Sequence, residues 1–225
     1  NPVGRGEAVV LRAQVAAAYA RALDAGAGVF TARSGATTRT LGTVAVDGSG
    51  VATLSVSDLA VAAWTVKAAY SHVVNFNSSS ATTVVSVGKS ASTTTVAASS
   101  NHVSYGTAVR VTATVTGATA RASGTVSFVH PGGITPVTLT AGAGNTATAS
   151  LNLPSLPSGS RTIQAMFGEP AAFTGSLAST TITVDPVPVT VSLVVSPNPA
   201  SRGQTVTLTA TATSSCCRRT VGWSG

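Results

Sequence analysis

Apolar and polar residues alternate along most of this chain, with a period of two. Val9, Leu11, Ala13 and Val15 are interleaved with Val10, Arg12 and Gln14. This is the signature of a half-buried β-strand, because successive side chains of a strand point to opposite faces. The alternation returns at Val109, Val111, Ala113 and Val115, and again at Val206, Leu208, Ala210 and Ala212. Each run begins three residues after a glycine, Gly6, Gly106 or Gly203, and five residues before each glycine stands an asparagine, Asn1, Asn101 or Asn198. The pattern predicts a tight turn leading into a strand, three times over, with the glycines 100 and 97 positions apart. Self-similarity at a fixed period marks an array of like units.

A longer match supports the period. Leu59 to Val87 aligns with Leu156 to Val184 at a constant offset of 97 residues, without insertion. Within it, Val66/Ile163, Ala68/Ala165 and Tyr70/Phe167 are expected to face one core, since a slip of one residue would turn the whole set to solvent. Gly28-Val29-Phe30-Thr31-Ala32 is matched with the strand opening at Gly124-Thr125-Val126-Ser127-Phe128, and Val51 to Val56 reads as a further strand. Asp47-Gly48-Ser49-Gly50 reads as a turn between strands. A Ca²⁺ or phosphate loop would need more acidic residues or a following helix. Ala16 to Ala25 has high helix propensity, but repeat register favours a strand end and a loop with at most a helical turn.

These matches divide the chain into repeat one (residues 1–89), repeat two (90–186) and the start of repeat three (187–225). Repeat one is expected to lack its opening strand, as in a piece cut from a longer protein, and repeat two to be complete. Repeat three supplies about two strands, too few to bury a core, and is expected to be poorly ordered from about residue 214. The junction Gly88-Lys89-Ser90-Ala91-Ser92 reads as short and flexible. Asp185-Pro186-Val187-Pro188-Val189 reads as short and stiff, through its prolines. Short junctions predict a rod whose partners are its own neighbouring repeats.

Composition agrees with many small strands. Hydrophobic residues make up 44% of the chain but charged residues only 8%, against about 25% charged in globular proteins generally. Few charges are therefore on hand for catalysis or metal binding. The net charge is +7. Arg5, Arg12, Arg21, Arg33, Arg39, Arg110, Arg121, Arg161 and Arg202 are scattered singly, with no aromatic residues between them to stack bases, which argues against nucleic acid. Cys216 and Cys217 are adjacent, which suits neither a disulfide framework nor a metal site. No apolar run reaches the ~18 residues of a membrane span.

Several segments of repeat two resemble the bacterial immunoglobulin-like repeats of large secreted and cell-surface proteins. They are Gly106 to Val115 (GTAVRVTATV), Gly124 to Phe128 (GTVSF) and Leu156 to Ala165 (LPSGSRTIQA). Repeat one departs at Ala60-Val61-Ala62, which lacks the Pro and Gly of that last turn. The resemblance implies an all-β chain of tandem immunoglobulin-like antiparallel β-sandwiches with Greek-key connections and seven strands each, two domains plus a partial third. It also implies an extracellular or cell-surface bacterial location and a non-catalytic structural or spacer role, as in an adhesin. The alternative is a module that binds cell-wall or host glycan or protein through its inter-strand loops. The family carries no shared catalytic residues.

The remaining chemistry-bearing residues fit that reading. His72, His102 and His130 stand at non-equivalent places of the repeat. Glu7, Asp24, Asp47, Asp58, Glu169 and Asp185 are dispersed, and no pair recurs at the repeat period, as a carboxylate hydrolase or an inter-domain Ca²⁺ clamp would require. No catalytic, cofactor-binding or metal-ligating residue is therefore assigned, and no cofactor is expected. Leu156-Pro157-Ser158-Gly159 reads as a turn rather than a wall-sorting signal. Asn77-Ser78-Ser79 fits a glycosylation sequon. Trp64 is read as a partly buried strand residue, with sugar contact as the alternative.

Overall fold

The computed structural model describes residues 2–16, 26–71, 76–168 and 171–214, and the backbone of 221–223. The strands in chain order are β1 (Pro2–Gly4), β2 (Val9–Gln14), β3 (Ala27–Ser34), β4 (Thr37–Ala45), β5 (Val51–Val56), β6 (Ala62–Ser71) and β7 (Ser79–Gly88). There follow β8 (Ser92–Ala98), β9 (His102–Ser104), β10 (Val109–Gly117), β11 (Thr125–His130), β12 (Gly133–Thr138) and β13 (Thr140–Ala141). The last six are β14 (Thr146–Leu153), β15 (Gly159–Phe167), β16 (Ser176–Asp185), β17 (Val189–Ser196), β18 (Thr207–Ser214) and β19 (Val221–Trp223). The conflict posed by Ala16 to Ala25 falls almost wholly on residues outside those described.

Strands β8 to β16 form a complete sandwich. One sheet runs β13-β14-β10-β8 and the other β12-β11-β15-β16-β9. Their inner faces enclose a single core, with Val111, Val115, Val126, Phe128, Ile163 and Ile182 all fully buried. This order, with its first strand divided between the sheets, is an immunoglobulin-like sandwich. It holds nine strands rather than the seven implied by the resemblance, and β9 runs parallel to β16. The physical cause lies at the repeated asparagine. The chain leaves the first sheet after Ala98 and crosses to the second, where the Asn101 carbonyl accepts a hydrogen bond from the Thr183 N–H at 2.8 Å. The asparagine thus marks the crossing, and the glycine that follows marks the return. Gly6, Gly106 and Gly203 take φ values of 87°, 87° and 86°. In each case the next residue donates its N–H to the carbonyl two before the glycine (Glu7 to Gly4, Thr107 to Ser104, Gln204 to Ser201) at 3.0–3.1 Å.

Strands β1 to β7 build the first sandwich on the same plan, with sheets β1-β7-β6-β3-β4 and β2-β5. Val66 and Ala68 lie opposite Ala32 and Phe30, just as Ala165 lies opposite Phe128. This corrects the sequence match in the third strand. Phe30 is the counterpart of Phe128, and Gly26, not Gly28, is the counterpart of Gly124. Both Gly26 and Gly124 have positive φ, and both accept a hydrogen bond through their carbonyls, from Val46 at 3.0 Å and Leu139 at 2.9 Å. A glycine inside the strand, Gly28, misled the pattern.

In the last segment, β17, β18 and β19 form one three-stranded sheet. Its β17–β18 pairing repeats that of β8 with β10 pair for pair. Leu193 faces Ala210 as Val96 faces Ala113. Strand β19 pairs along the other edge of β18, the position that β14 takes beside β10 in the complete sandwich. The disorder expected from about residue 214 falls largely outside the described residues, with β19 paired within that stretch.

Candidate functional site

Two places stand out: the joint between the first two sandwiches, and an open slot along β2. At the joint the linker is not free. Ser90 is 1% exposed, the one buried polar residue among those described. Its N–H donates to the Ala172 carbonyl and its own carbonyl accepts from the Thr174 N–H, both at 3.0 Å. Its hydroxyl oxygen accepts the Thr119 N–H at 3.2 Å. The Thr119 hydroxyl reaches back to the first sandwich and donates to the Arg5 carbonyl at 2.6 Å. The Arg5 guanidinium lies 5.7 Å from the centroid of the Phe173 ring, in cation–π range. Gly6 packs so closely that a Cβ there would fall 2.5 Å from the Thr119 carbonyl oxygen. The flexible junction expected from Gly88-Lys89-Ser90-Ala91-Ser92 is therefore corrected. Small residues here permit close approach, and close approach lets the backbone bond across.

The slot lies in the first sandwich, between the edge of β2 and strand β7. It has a volume of about 390 Å³ and is lined by Leu11, Ala13 and Val15 on one side and by Ser79 to Thr83, with Tyr70 paired to Ser79, on the other. Its place is identified by the complete sandwich. There the residues equivalent to Leu11–Val15 are Val111–Val115, and they pair with Thr94–Ala98 of β8. The counterpart of Ser79 is Ser176, whose hydroxyl lies 2.7 Å from that of Thr94 and 2.9 Å from that of Ser92. The slot is the position of a first strand, residue for residue.

The residues singled out from sequence are dispersed. Trp64 is 5% exposed, and its indole N–H donates to the Ala60 carbonyl at 2.9 Å, which places it in the core and away from any ligand. His130 closes its own turn, 3.0 Å from the Thr135 hydroxyl. His102, however, meets Asp185, Nε2 to Oδ2 at 2.7 Å, across 83 residues of sequence. Local sequence gave no sign of this pair; it follows from the parallel register of β9 on β16. Leu156 is buried and the Arg161 Nε donates to the Pro157 carbonyl at 3.0 Å, which makes Leu156-Pro157-Ser158-Gly159 a turn. Asn77 is exposed. His72, Asp24, Glu169, Cys216 and Cys217 lie outside the described residues.

Two carboxylates are tuned by their surroundings. Asp47 Oδ1 accepts from the Val51 N–H, the Ser49 hydroxyl and the Ser49 N–H, at 2.8–2.9 Å. These bonds, the Val51 N–H foremost, hold its pKa below the usual carboxylate value. Asp58 pairs with Arg39, whose guanidinium hydrogen bond lowers its pKa in the same way. Glu7 accepts the Gly4 N–H at 2.9 Å and braces the turn at the joint. Among the described residues no three His, Cys, Asp or Glu side chains come together, and no helix is long and apolar enough to cross a membrane.

No protein-family model matches the chain, and no curated protein matches it. Among solved structures, the ICAM-5 D1–D4 ectodomain fragment is 18% identical over 93% of this chain and 57% of its own, with a TM-score of 0.44. The tetra-tandem repeat in the extending region of a large adhesion protein is 18% identical over 83% of this chain and 48% of its own, with a TM-score of 0.39. Escherichia coli alpha-2-macroglobulin is 10% identical over 86% of this chain, with a TM-score of 0.36. The chain spans only 16–22% of the length of the bacterial alpha-2-macroglobulins it resembles. Identities and TM-scores are low throughout, and the architecture above rests on the chain's own sheets and registers.

Proposed function

We propose that this chain is a non-catalytic spacer: a run of immunoglobulin-like repeats that holds other parts of a bacterial secreted or cell-surface protein, of adhesin type, at a set distance. The observation that carries this reading is the joint. A spacer works only if one domain cannot pivot freely on the next. Here the linker residue Ser90 is buried and bonded into the second sandwich, and the Thr119 hydroxyl beside it ties that sandwich to the Arg5 carbonyl in the turn of the first. Short linkers alone limit reach; bonds across the linker also limit angle. The glycan-binding alternative loses its one aromatic candidate on the sequence side, since Trp64 is buried.

The test compares small-angle scattering of the 225-residue chain with that of a Gly6→Val variant. The added side chain overlaps the Thr119 backbone but at a φ of 87° also strains the turn into β2, so a Thr119→Val variant, which removes the hydroxyl bond to the Arg5 carbonyl and leaves that turn intact, is measured beside it. The native chain is expected to fit a single inter-domain angle and each variant a spread of angles. A native profile that already needs the spread would remove the basis of the spacer reading.

A further inference from the structure

We propose that the outward face of the five-stranded sheet of the first sandwich binds an acidic polysaccharide, one whose sugars carry carboxylates. Strands β1, β3, β4, β6 and β7 of that sheet hold three cations, Arg33, Arg39 and Lys67, and no carboxylate. Arg39 is taken by Asp58. Arg33 and Lys67 are exposed. Among the described residues neither meets an acidic side chain, since the ion pairs there are made by Arg39 and His102.

Strand alternation sets these two cations side by side. Phe30, Ala32, Trp64 and Val66 are buried in the core, so Thr31, Arg33, Thr65 and Lys67 point the other way. Thr31 lies opposite Lys67 and Arg33 opposite Thr65. Arg33 and Lys67 therefore stand on a diagonal of one strand pair, roughly 7–8 Å apart. Thr40 and Thr82 extend the row of Lys67 to either side. The Arg33 Nε donates to the Gly35 carbonyl at 3.1 Å, which steadies the guanidinium over the hairpin turn and leaves its two NH2 groups for a ligand. A guanidinium holds a carboxylate through two parallel hydrogen bonds, and Lys67 adds a point charge beside it. The threonine hydroxyls around them donate and accept, as the hydroxyls of a sugar do. A polymer that alternates carboxylates with hydroxyls matches this pattern.

The second sandwich supplies the contrast. Its counterpart of the Lys67 row is Ile134, Val129, Gln164 and Ser179, which carries no charge. Gln164 stands where Lys67 does. Arg33 lies one residue beyond the counterpart of His130, where β11 has already ended. Arg161, in the same sheet, is turned to the Pro157 and Ser158 carbonyls of its own turn. The cationic face thus belongs to the first sandwich. Like charges set this close disfavour the folded sheet, and a bound anion removes that penalty.

Titration of the isotope-labelled 225-residue chain with oligogalacturonate, followed by amide chemical shifts, reads this directly. Shifts are expected in β3, β6 and β7 and not in β11 or β15. With two charges neutralised, binding should weaken by about tenfold when the salt concentration rises about fourfold. The double variant Arg33→Gln, Lys67→Gln should lose the shifts and keep its thermal unfolding, because both side chains are exposed. Lys67→Gln alone places in the first sandwich the residue that the second already carries, and should weaken binding several-fold in a folded chain. Three results overturn the proposal: no shifts with oligogalacturonate, shifts that survive the double variant, or equal shifts with uncharged dextran. Shifts with polyphosphate but not with oligogalacturonate overturn it too, and would assign the face to a phosphate polymer. None of these outcomes touches the spacer reading, which depends on the joint.

Discussion

The first and second sandwiches share one plan and, among the described residues, differ by two strands, both in the smaller sheet. Their larger sheets superpose element for element: β4-β3-β6-β7-β1 against β12-β11-β15-β16-β9. The smaller sheet has four strands in the second and two in the first. In β10, Val109, Val111, Ala113 and Val115 are all buried. In β2, only Leu11 of the equivalent four is buried. The inward face of a second strand is thus sealed by the first strand beside it, not by the opposite sheet alone. Removing that neighbour leaves the residues facing the right way but incompletely covered.

The comparison is broken most directly in the core. Phe128 and its counterpart Phe30 are both fully buried, but Phe30 also lines the slot. Phe128→Ala is expected to destabilise the second sandwich by about 3–5 kcal/mol. Phe30→Ala should cost the first sandwich clearly less, because the space left opens into the slot it lines, where water can fill it. Hydrogen exchange read by mass spectrometry separates the two domains. Equal costs would mean that the slot is closed in solution and that the first core is as dry as the second.

The joint gives the next effect. Ser90→Ala leaves the Thr119 N–H without its acceptor in a part-buried setting, a loss of about 1 kcal/mol. It should appear as faster exchange at Thr119, with the rates in β10 and β15 unchanged. If β10 and β15 exchanged faster as well, Ser90 would be a core residue of the second sandwich rather than a tie between the two.

Adding a first strand beside β2 should work in the opposite direction. A copy of Ser92–Ser100 placed directly ahead of Asn1 would run along β2 as β8 runs along β10. Covering the slot with its Val and Ala side chains should stabilise the first sandwich by about 1–2 kcal/mol. The readout is the urea midpoint followed by the fluorescence of Trp64, which lies in that core. An unmoved midpoint would show that the slot does not take a first strand.

Much of this was legible in the sequence, and for a definite reason. The inward positions of strands repeat every two residues and the domains every 97 or so, so errors of register show up as broken alternation. Val66, Ile163, Tyr70 and Phe167 were placed on core faces this way, and all four are buried. The offset failed at Phe30, where one domain has a glycine inside the strand and the loop before it has changed length. It also failed at the linker. Gly88 and Ser90 look flexible in composition, yet the bonds that fix Ser90 come from Ala172 and Thr174, more than eighty residues away. Composition reports what a segment does alone. The His102–Asp185 pair was hidden for the same reason, since it exists only once β9 lies beside β16.

The smallest effect concerns the turn before β5, which carries an aspartate where the corresponding turn of the second sandwich, Gly142 to Thr146, has none. Asp47 is exposed, yet three hydrogen bonds from Ser49 and Val51 favour its ionised form and lower its pKa from the model-compound value of 3.8. A carboxylate whose pKa is lower in the folded state than in the unfolded one adds stability that is complete above the unfolded pKa. That stability is lost as the pH falls through the folded pKa. Asp47→Asn keeps an oxygen acceptor in the turn and removes the charge. The variant should therefore be slightly less stable than the native chain at neutral pH, and the two should converge only once the pH has fallen through the lowered Asp47 pKa, below 3.8. Thermal midpoints of the first sandwich across that range decide the matter. A difference that persists unchanged into acid would assign the effect to the geometry of the Asn side chain and not to the charge that Val51 and Ser49 stabilise.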